Sequence, residues 1–160
     1  MQFRLWNLEK DYDTLVKWWT QHEFGIVPKK CLPPDGIIVE ENNIPVCAGG
    51  LYRCIDSNFS VMEWIVADKT ASIKSIHKGL NICIAEIFNL ARKYNMELIY
   101  SMTGSVSLHK RYTKYHNMKL VENNVKTFLI DLTNNYKDLE WISDDEQFKK
   151  QKQEIENGNR

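Results

Sequence analysis

Residues 60–94 read SVMEWIVADKTASIKSIHKGLNICIAEIFNLARKY, and this stretch decides the predicted fold. The apolar segment 61–66 predicts a buried strand, and a short polar link separates it from a long helix, whose N-cap is either Thr70 or Ser72. Apolar residues recur along that helix in steps of three and four, at Ile73, Ile76, Leu80, Cys83, Ile87, Leu90 and Tyr94. The N-terminus of such a helix offers free backbone N–H groups and a positive dipole end, which together can bind a phosphate.

One carboxylate lies inside the apolar strand. Glu63 stands between Met62 and Trp64, where a charge is costly unless it has a partner or a chemical task. Because side chains alternate along a strand, Glu63 could face a cleft or the opposite, solvent side of the sheet. The sequence leaves both orientations open.

Composition and charge exclude several classes of protein. The 160 residues suit one domain, and 21 basic against 21 acidic residues leave no electrostatic footprint for general nucleic-acid binding. No apolar run approaches the roughly 20 residues of a membrane span. The four cysteines form no Cys-x-x-Cys pair and the N-terminus does not read as a signal peptide, so we expect a cytoplasmic protein with reduced thiols. No histidine has the spacing of a metal ligand pair.

The residues before this stretch predict a strand, a helix and an antiparallel meander. The helix is expected to begin at Asp11 as N-cap and to run to about Gln21, with Trp18 beside its apolar stripe and partly exposed. The breaker-rich segment 25–36 is a surface loop or the wall of a cleft. The predicted strands of this part are 3–6, 37–41, 44–55 and 60–67.

The residues after it predict a crossover and a closing hairpin. A strand at 97–102 follows the long helix and is expected to lie parallel to 61–66. A shorter helix at 105–115 precedes a hairpin of strands 119–122 and 125–132. Residues 133–160 are a polar extension, in which the capping box at 143–146 predicts a helix over 144–156.

This order of elements resembles the GNAT family of acyl-CoA-dependent N-acetyltransferases. The resemblance covers residues 1–132 and depends on EWIVAD leading into the long helix, on ELIYSM, and on SVSLHKRYTKYHNMKLVE. More narrowly, IPVCAGGLYR, MEWIVAD and SVSLHKRYTKY are similar to GNAT-type proteins encoded by bacteriophages. The resemblance implies an α/β (α+β) fold, with a mixed, twisted, mostly antiparallel sheet of about six to seven strands flanked by helices.

The resemblance also implies a site for acetyl-CoA where the fourth and fifth strands diverge. The resemblance assigns backbone groups of the fourth strand to the pantetheine arm, at Ile65, Val66 and Ala67. It assigns the amides at the start of the long helix to the pyrophosphate, at Lys69, Thr70, Ala71, Ser72, Ile73 and Lys74, and it adds Ser107 and Arg111 of the short helix to the cofactor site. The family's glycine-rich phosphate loop is not present. Ala71 stands where it keeps Arg or Gln, Lys74 and Ile76 where it keeps glycines, and the nearby Gly79 falls within the helix.

Acetyl transfer to an amine needs a base for the ammonium proton and an acid for the thiolate that leaves. The resemblance implies Glu63 as the base, directly or through water. It implies Tyr112 as the acid, seven residues after Ser105, although a second alignment of the same helix ends on Thr113. Tyr112 as a packed core tyrosine is an equal alternative.

Two functions follow as hypotheses. In the first, the chain is an N-acetyltransferase that uses acetyl-CoA and acts on a small-molecule or protein amine. In the second, the chain is a GNAT-like binding or assembly module without catalytic activity, and the missing glycines of the phosphate loop suggest this interpretation. Such a module could be virion-associated or host-interacting. The extension 133–160 is then a candidate contact for a homodimer or a protein partner. A phage-encoded chain would lie in the host cytoplasm or the virion.

Overall fold

The structure, a computed structural model, describes residues 1–121. Five strands and three α-helices follow one another in these residues, with a short 3-10 turn at Lys29–Cys31. In chain order they are β1 (Gln2–Leu5), α1 (Leu8–Gln21), β2 (Asp35–Glu41), β3 (Ile44–Arg53), β4 (Phe59–Ala67), α2 (Ile73–Lys93), β5 (Leu98–Tyr100) and α3 (Val106–His116).

The strands form one mixed sheet in the order β1-β2-β3-β4-β5. The first four pair antiparallel, whereas β4 and β5 pair parallel across the α2 crossover, as the strand–helix–strand pattern predicts. The α/β fold class is confirmed, but the sheet has five strands within residues 1–121 instead of six or seven. Residues 119–121, the described part of the predicted closing hairpin, carry no strand. The rest of the hairpin, the predicted end of the domain at residue 132 and the predicted helix 144–156 lie outside the described residues.

Two buried clusters cover the two sides of the sheet. On one side, which we call the α1 face, Trp6, Leu15, Trp18 and Trp19 pack against Ile38, Ala48 and Val66. On the other side, the α2 face, α2 and α3 pack their apolar residues against Ile37, Leu51, Met62 and Ile65. Among the described residues no helix is both long enough and apolar enough to cross a membrane.

The start of α1 differs from the sequence prediction. Asn7, not Asp11, is the N-cap, and its side chain accepts a hydrogen bond from the Glu9 amide at 3.0 Å. Asp11 lies inside the helix and is buried, because its carboxylate binds the Arg4 guanidinium at 2.7 and 2.8 Å. The predicted partial exposure of Trp18 is also wrong, since the side chain is 1% exposed.

The long helix α2 begins as predicted at Ser72, whose side chain accepts from the Ser75 amide at 3.0 Å. Its apolar stripe packs against the sheet from Ile76 onward. Ile73 does not, and is 87% exposed. In the first turn the inward position belongs to Ser75, whose hydroxyl donates to Glu41 Oε2 at 2.6 Å.

Candidate active site

A gap opens in the sheet between β4 and β5. The two strands are paired over Phe59–Val61 and Leu98–Tyr100, and β5 then ends. β4 continues to Ala67, still paired with β3 but without β5 beside it. The backbone and side chains after Val61 therefore line an opening at this end of the sheet.

Glu63 lies at the start of this gap. It pairs with Gly50 of β3, and a side chain at Gly50 would meet Trp6 at 2.6 Å and Pro33 at 2.8 Å, so Glu63 is on the α1 face. Its carboxylate accepts a hydrogen bond from the Met102 amide at 3.0 Å, just beyond β5. Within residues 1–121 no cationic side chain forms an ion pair with it. Burial raises the pKa of Glu63, and the Met102 hydrogen bond opposes this shift.

A β-bulge follows Glu63 directly. Two residues of β4, Trp64 and Ile65, lie opposite the single residue Gly49 of β3. Trp64 has φ 61°, a left-handed conformation that costs a bulky residue of the order of 1–3 kcal/mol. Its indole packs edge-on against Trp19 at 6.2 Å and donates to the Tyr52 hydroxyl at 2.7 Å, and these contacts hold the conformation. The bulge places two consecutive side chains, at 63 and 64, on the α1 face.

Tyr112 approaches the gap from the opposite side of the sheet. Ser105 caps α3, and the helix packs Tyr112 into the cluster on the α2 face, where it is 6% exposed. Ser101 Oγ donates a hydrogen bond of 3.3 Å to the Tyr112 hydroxyl. The pKa of Tyr112 is raised to about 12, mainly by burial and in smaller part by the negative charge of Glu63, while the Ser101 hydrogen bond opposes the shift. The phenol therefore carries its proton at neutral pH.

The structure thus brings the two predicted catalytic residues to one opening. Glu63 is half-buried at the gap, which resolves the orientation that the sequence left open. Tyr112 is both a packed core tyrosine and a neighbour of the gap, so the two interpretations of it are compatible. Sequence reasoning missed Ser101 and the Met102 amide. Their signal was their position directly after a short strand that pairs in parallel with β4.

Solved structures share this architecture. The chain matches the Mycobacterium tuberculosis protein Rv2747, solved in complex with CoA, with a TM-score of 0.60 and 13% identity over 79% of this chain and 76% of that one. It matches an aminoglycoside acetyltransferase from an uncultured soil metagenomic sample, in complex with sisomicin, with a TM-score of 0.59 and 11% identity over 82% and 95%. It matches glucosamine-6-phosphate N-acetyltransferase from Arabidopsis thaliana with a TM-score of 0.57 and 10% identity over 81% and 98%.

The chain has the GNAT acetyltransferase fold. At these identities the likeness shows the fold alone. No protein-family model matches the sequence, and a comparison with curated proteins found no match. The phage-like resemblance of the sequence stays a prediction.

The predicted pantetheine-binding residues lie on the part of β4 that has β3 on one side and no β5 on the other. All three are buried: Ile65 belongs to the bulge, and Val66 and Ala67 follow it. The carbonyl oxygen of Ala67 already accepts a hydrogen bond from His22 Nε2 at 2.9 Å, which fixes the proton of that imidazole on Nε2. The groups of this segment left for a ligand are therefore those before Ala67.

Three of the six predicted phosphate-binding amides already donate hydrogen bonds to other residues of the protein. The Lys69 amide donates to Gln21 Oε1, and Asp68 accepts from the amides of Thr70 and Ala71. The Lys69 ammonium also donates to the Gln21 carbonyl at 2.6 Å. The other three amides donate to no acceptor within residues 1–121; they belong to Ser72, Ile73 and Lys74. Of the six amides in this segment, the ones without an acceptor in the described residues are therefore at the start of α2.

The two predicted binding residues of α3 differ in position. Ser107 is exposed in the first turn, with its hydroxyl 3.1 Å from that of Ser105. Arg111 is 9% exposed and faces α2, where its guanidinium donates to the His77 carbonyl at 3.0 Å and to Asn81 Oδ1 at 2.6 Å. Arg111 is therefore engaged inside the protein.

Proposed function

We propose that this chain is an N-acetyltransferase that transfers the acetyl group of acetyl-CoA to an amine. The observation that carries the proposal is the convergence of Glu63 and Tyr112 on one gap between β4 and β5. One group has a raised carboxyl pKa suited to accepting a proton, and the other keeps a phenolic proton to give. The two side chains reach the gap from opposite faces of the sheet. This arrangement lets a base act on the acceptor amine on one side of the thioester while an acid acts on the leaving thiolate on the other side.

The residues of the chain have separable roles in this proposal. Glu63 takes the proton of the acceptor ammonium, directly or through one water, as the amine attacks. Tyr112 gives its proton to the departing sulfur, and Ser101 holds the hydroxyl by its hydrogen bond. The side chains of Trp64 and Tyr52 lie beside Glu63 on the α1 face, and the acceptor would enter there.

The polar groups without a partner in the described residues suit acetyl-CoA. The edge of β4 that β5 leaves open before Ala67 suits the pantetheine arm, and the free amides of Ser72, Ile73 and Lys74 suit a phosphate. The exposed side chains of Lys74 and Lys78 add positive charge on the same helix. When bound, acetyl-CoA supplies the thioester that the amine attacks.

The negative charge of Glu63 supports a cationic amine as the acceptor. Glu63 is an uncompensated carboxylate within the described residues, beside the aromatic side chains of Tyr52 and Trp64. Such a site favours a cationic amine, whether on a small molecule or on a protein.

The test measures the turnover of acetyl-CoA with a panel of amines, and the release of free CoA thiol serves as the signal. We expect turnover with at least one cationic amine, and its loss in Glu63→Gln. Binding of acetyl-CoA without turnover by any amine would favour the inactive module, while absence of binding would reject both the cofactor and the enzyme.

A further inference from the structure

Arg111 is a buried cation whose contacts in the described residues include no carboxylate. Its Nη1 donates to the carbonyl of His77 and to Asn81 Oδ1, and its Nη2 lies 3.4 Å from His77 Nδ1. All three acceptors belong to α2, whereas Arg111 belongs to α3. The guanidinium therefore joins the two helices that cover the α2 face of the sheet.

No carboxylate pairs with Arg111 in the described part of the chain. Its Nε is buried and has no hydrogen-bond partner there. Burial lowers the Arg111 pKa, because the charge has lost solvent. A desolvated charge is costly unless its remaining partners stay in place, so small displacements of α3 relative to α2 are strongly disfavoured.

Asn81 of α2 contacts a second residue of α3. The same Oδ1 that accepts from Arg111 lies 3.4 Å from His116 Nε2, in the last turn of α3. The His77 ring also meets the Tyr115 ring edge-on at 5.5 Å. We call the set of Arg111, His77, Asn81 and His116 the interhelix clasp.

We propose that Arg111 is a positioning residue: through the interhelix clasp it fixes the Tyr112 hydroxyl at the gap. This inference rests on the proposed function of Tyr112. The two residues are adjacent on α3 but have different partners, since Arg111 binds α2 and Tyr112 extends to Ser101 beyond β5. It also replaces the earlier expectation that Arg111 binds the cofactor, because a phosphate would have to compete with acceptors already 2.6 and 3.0 Å away.

The kinetic test compares Arg111→Ala, Asn81→Ala and their double variant, with Lys110→Ala as the control. Lys110 is an exposed cation on the same helix, so its loss changes the charge equally without touching the clasp. We expect kcat to fall about 10- to 100-fold in each clasp variant, since misplacement of a catalytic group by 1 Å is enough for such a loss. The double variant should lose little more than either single one. The KM for acetyl-CoA should hardly change.

A second comparison separates positioning from simple destabilisation. In a Tyr112→Phe background, Arg111→Ala should no longer lower kcat, because the group that it positions is gone. An undiminished loss of kcat in that background, or a large rise in the KM for acetyl-CoA in Arg111→Ala alone, would overturn the proposal. If Arg111→Ala does not fold, Arg111→Lys and Asn81→Ala answer the same question.

One readout needs no transferase activity. A difference absorbance titration of each chain against its Tyr112→Phe counterpart isolates the ionisation of Tyr112. Arg111→Ala should lower the Tyr112 pKa from about 12, because a loosened α3 exposes the phenol, and Lys110→Ala should leave it unchanged. An unchanged titration in Arg111→Ala rejects the clasp. If the wild-type chain proves inactive while this shift occurs, the proposed function fails but the clasp stands.

Discussion

Glu63 and Tyr112 lie on opposite faces of one sheet, yet the charge of the Glu63 carboxylate raises the pKa of the Tyr112 phenol. They can interact because β5 ends at Tyr100 while β4 continues, so no strand separates the two side chains. The gap therefore has a base on one side and an acid on the other. This arrangement gives the first three predictions.

Glu63→Gln should abolish most of the turnover while leaving the fold intact. The amide keeps an oxygen for the Met102 N–H but cannot accept the ammonium proton. Loss of a general base typically costs about 10²- to 10⁴-fold in rate, and we expect kcat to fall within this range. Steady-state kinetics with Glu9→Gln, an exposed glutamate of α1, is the matched control. Equal kcat in the wild type and Glu63→Gln would remove Glu63 from the mechanism.

The same variant should be more stable than the wild type at neutral pH. Because burial raises the folded-state pKa of Glu63, the folded chain favours the protonated carboxyl. The wild type therefore loses folding stability as the pH rises from below 4.5, the ordinary pKa of a glutamate, through the raised pKa of Glu63, and Glu63→Gln does not. Urea unfolding at several pH values measures the difference. A stability gap that widens toward acid instead would contradict the assignment.

Tyr112→Phe should lower kcat by about 10²-fold with little change in stability. The ring still fills the buried space, and the hydrogen bond lost to Ser101 is long at 3.3 Å. Tyr115→Phe is the control, because Tyr115 is on the same helix and 51% exposed. Similar losses in the two variants would indicate that α3, and not the Tyr112 hydroxyl, is responsible.

The β-bulge gives a stability prediction. A methyl group at Gly49 would overlap Ile65 Cδ1 and lie 2.8 Å from Ile87 Cδ1, so in Gly49→Ala the ends of these two buried side chains must move. We expect a loss of about 1–3 kcal/mol in the free energy of unfolding. Gly104→Ala, where nothing lies within 4 Å, should change stability by no more than about 0.5 kcal/mol. Denaturant unfolding of both variants checks the pair, and equal values would show that the bulge tolerates a side chain.

Local patterns predicted the strand–helix–strand unit correctly. The helical periodicity of α2, its Ser72 cap and the parallel pairing across it depend on neighbouring residues, which the sequence displays directly. Gly49-Gly50 inside a strand indicates a bulge or a close backbone approach, and the bulge does lie opposite Gly49. The sequence did not indicate the left-handed residue of the bulge, because that conformation is normally marked by Gly or Asn and here belongs to Trp64. Contacts with Trp19 and Tyr52, distant in sequence, hold it there.

Contacts distant in sequence also decide the surroundings of Arg111. The resemblance assigns Arg111 to cofactor binding, which stays a prediction, and only the packing of α3 on α2 shows that its Nη1 already donates to the His77 carbonyl and to Asn81 Oδ1. The N-cap prediction for Asp11 was wrong because Arg4 binds its carboxylate, a contact that the local sequence does not show.

Calorimetric titration of the full chain with acetyl-CoA tests the central claim most directly. The account predicts a saturable binding heat for one site per chain, together with a rise in the thermal midpoint as the ligand exceeds its Kd. At about 100 times Kd this binding adds about 2.7 kcal/mol to stability. Absence of both binding heat and thermal shift at millimolar acetyl-CoA would contradict it.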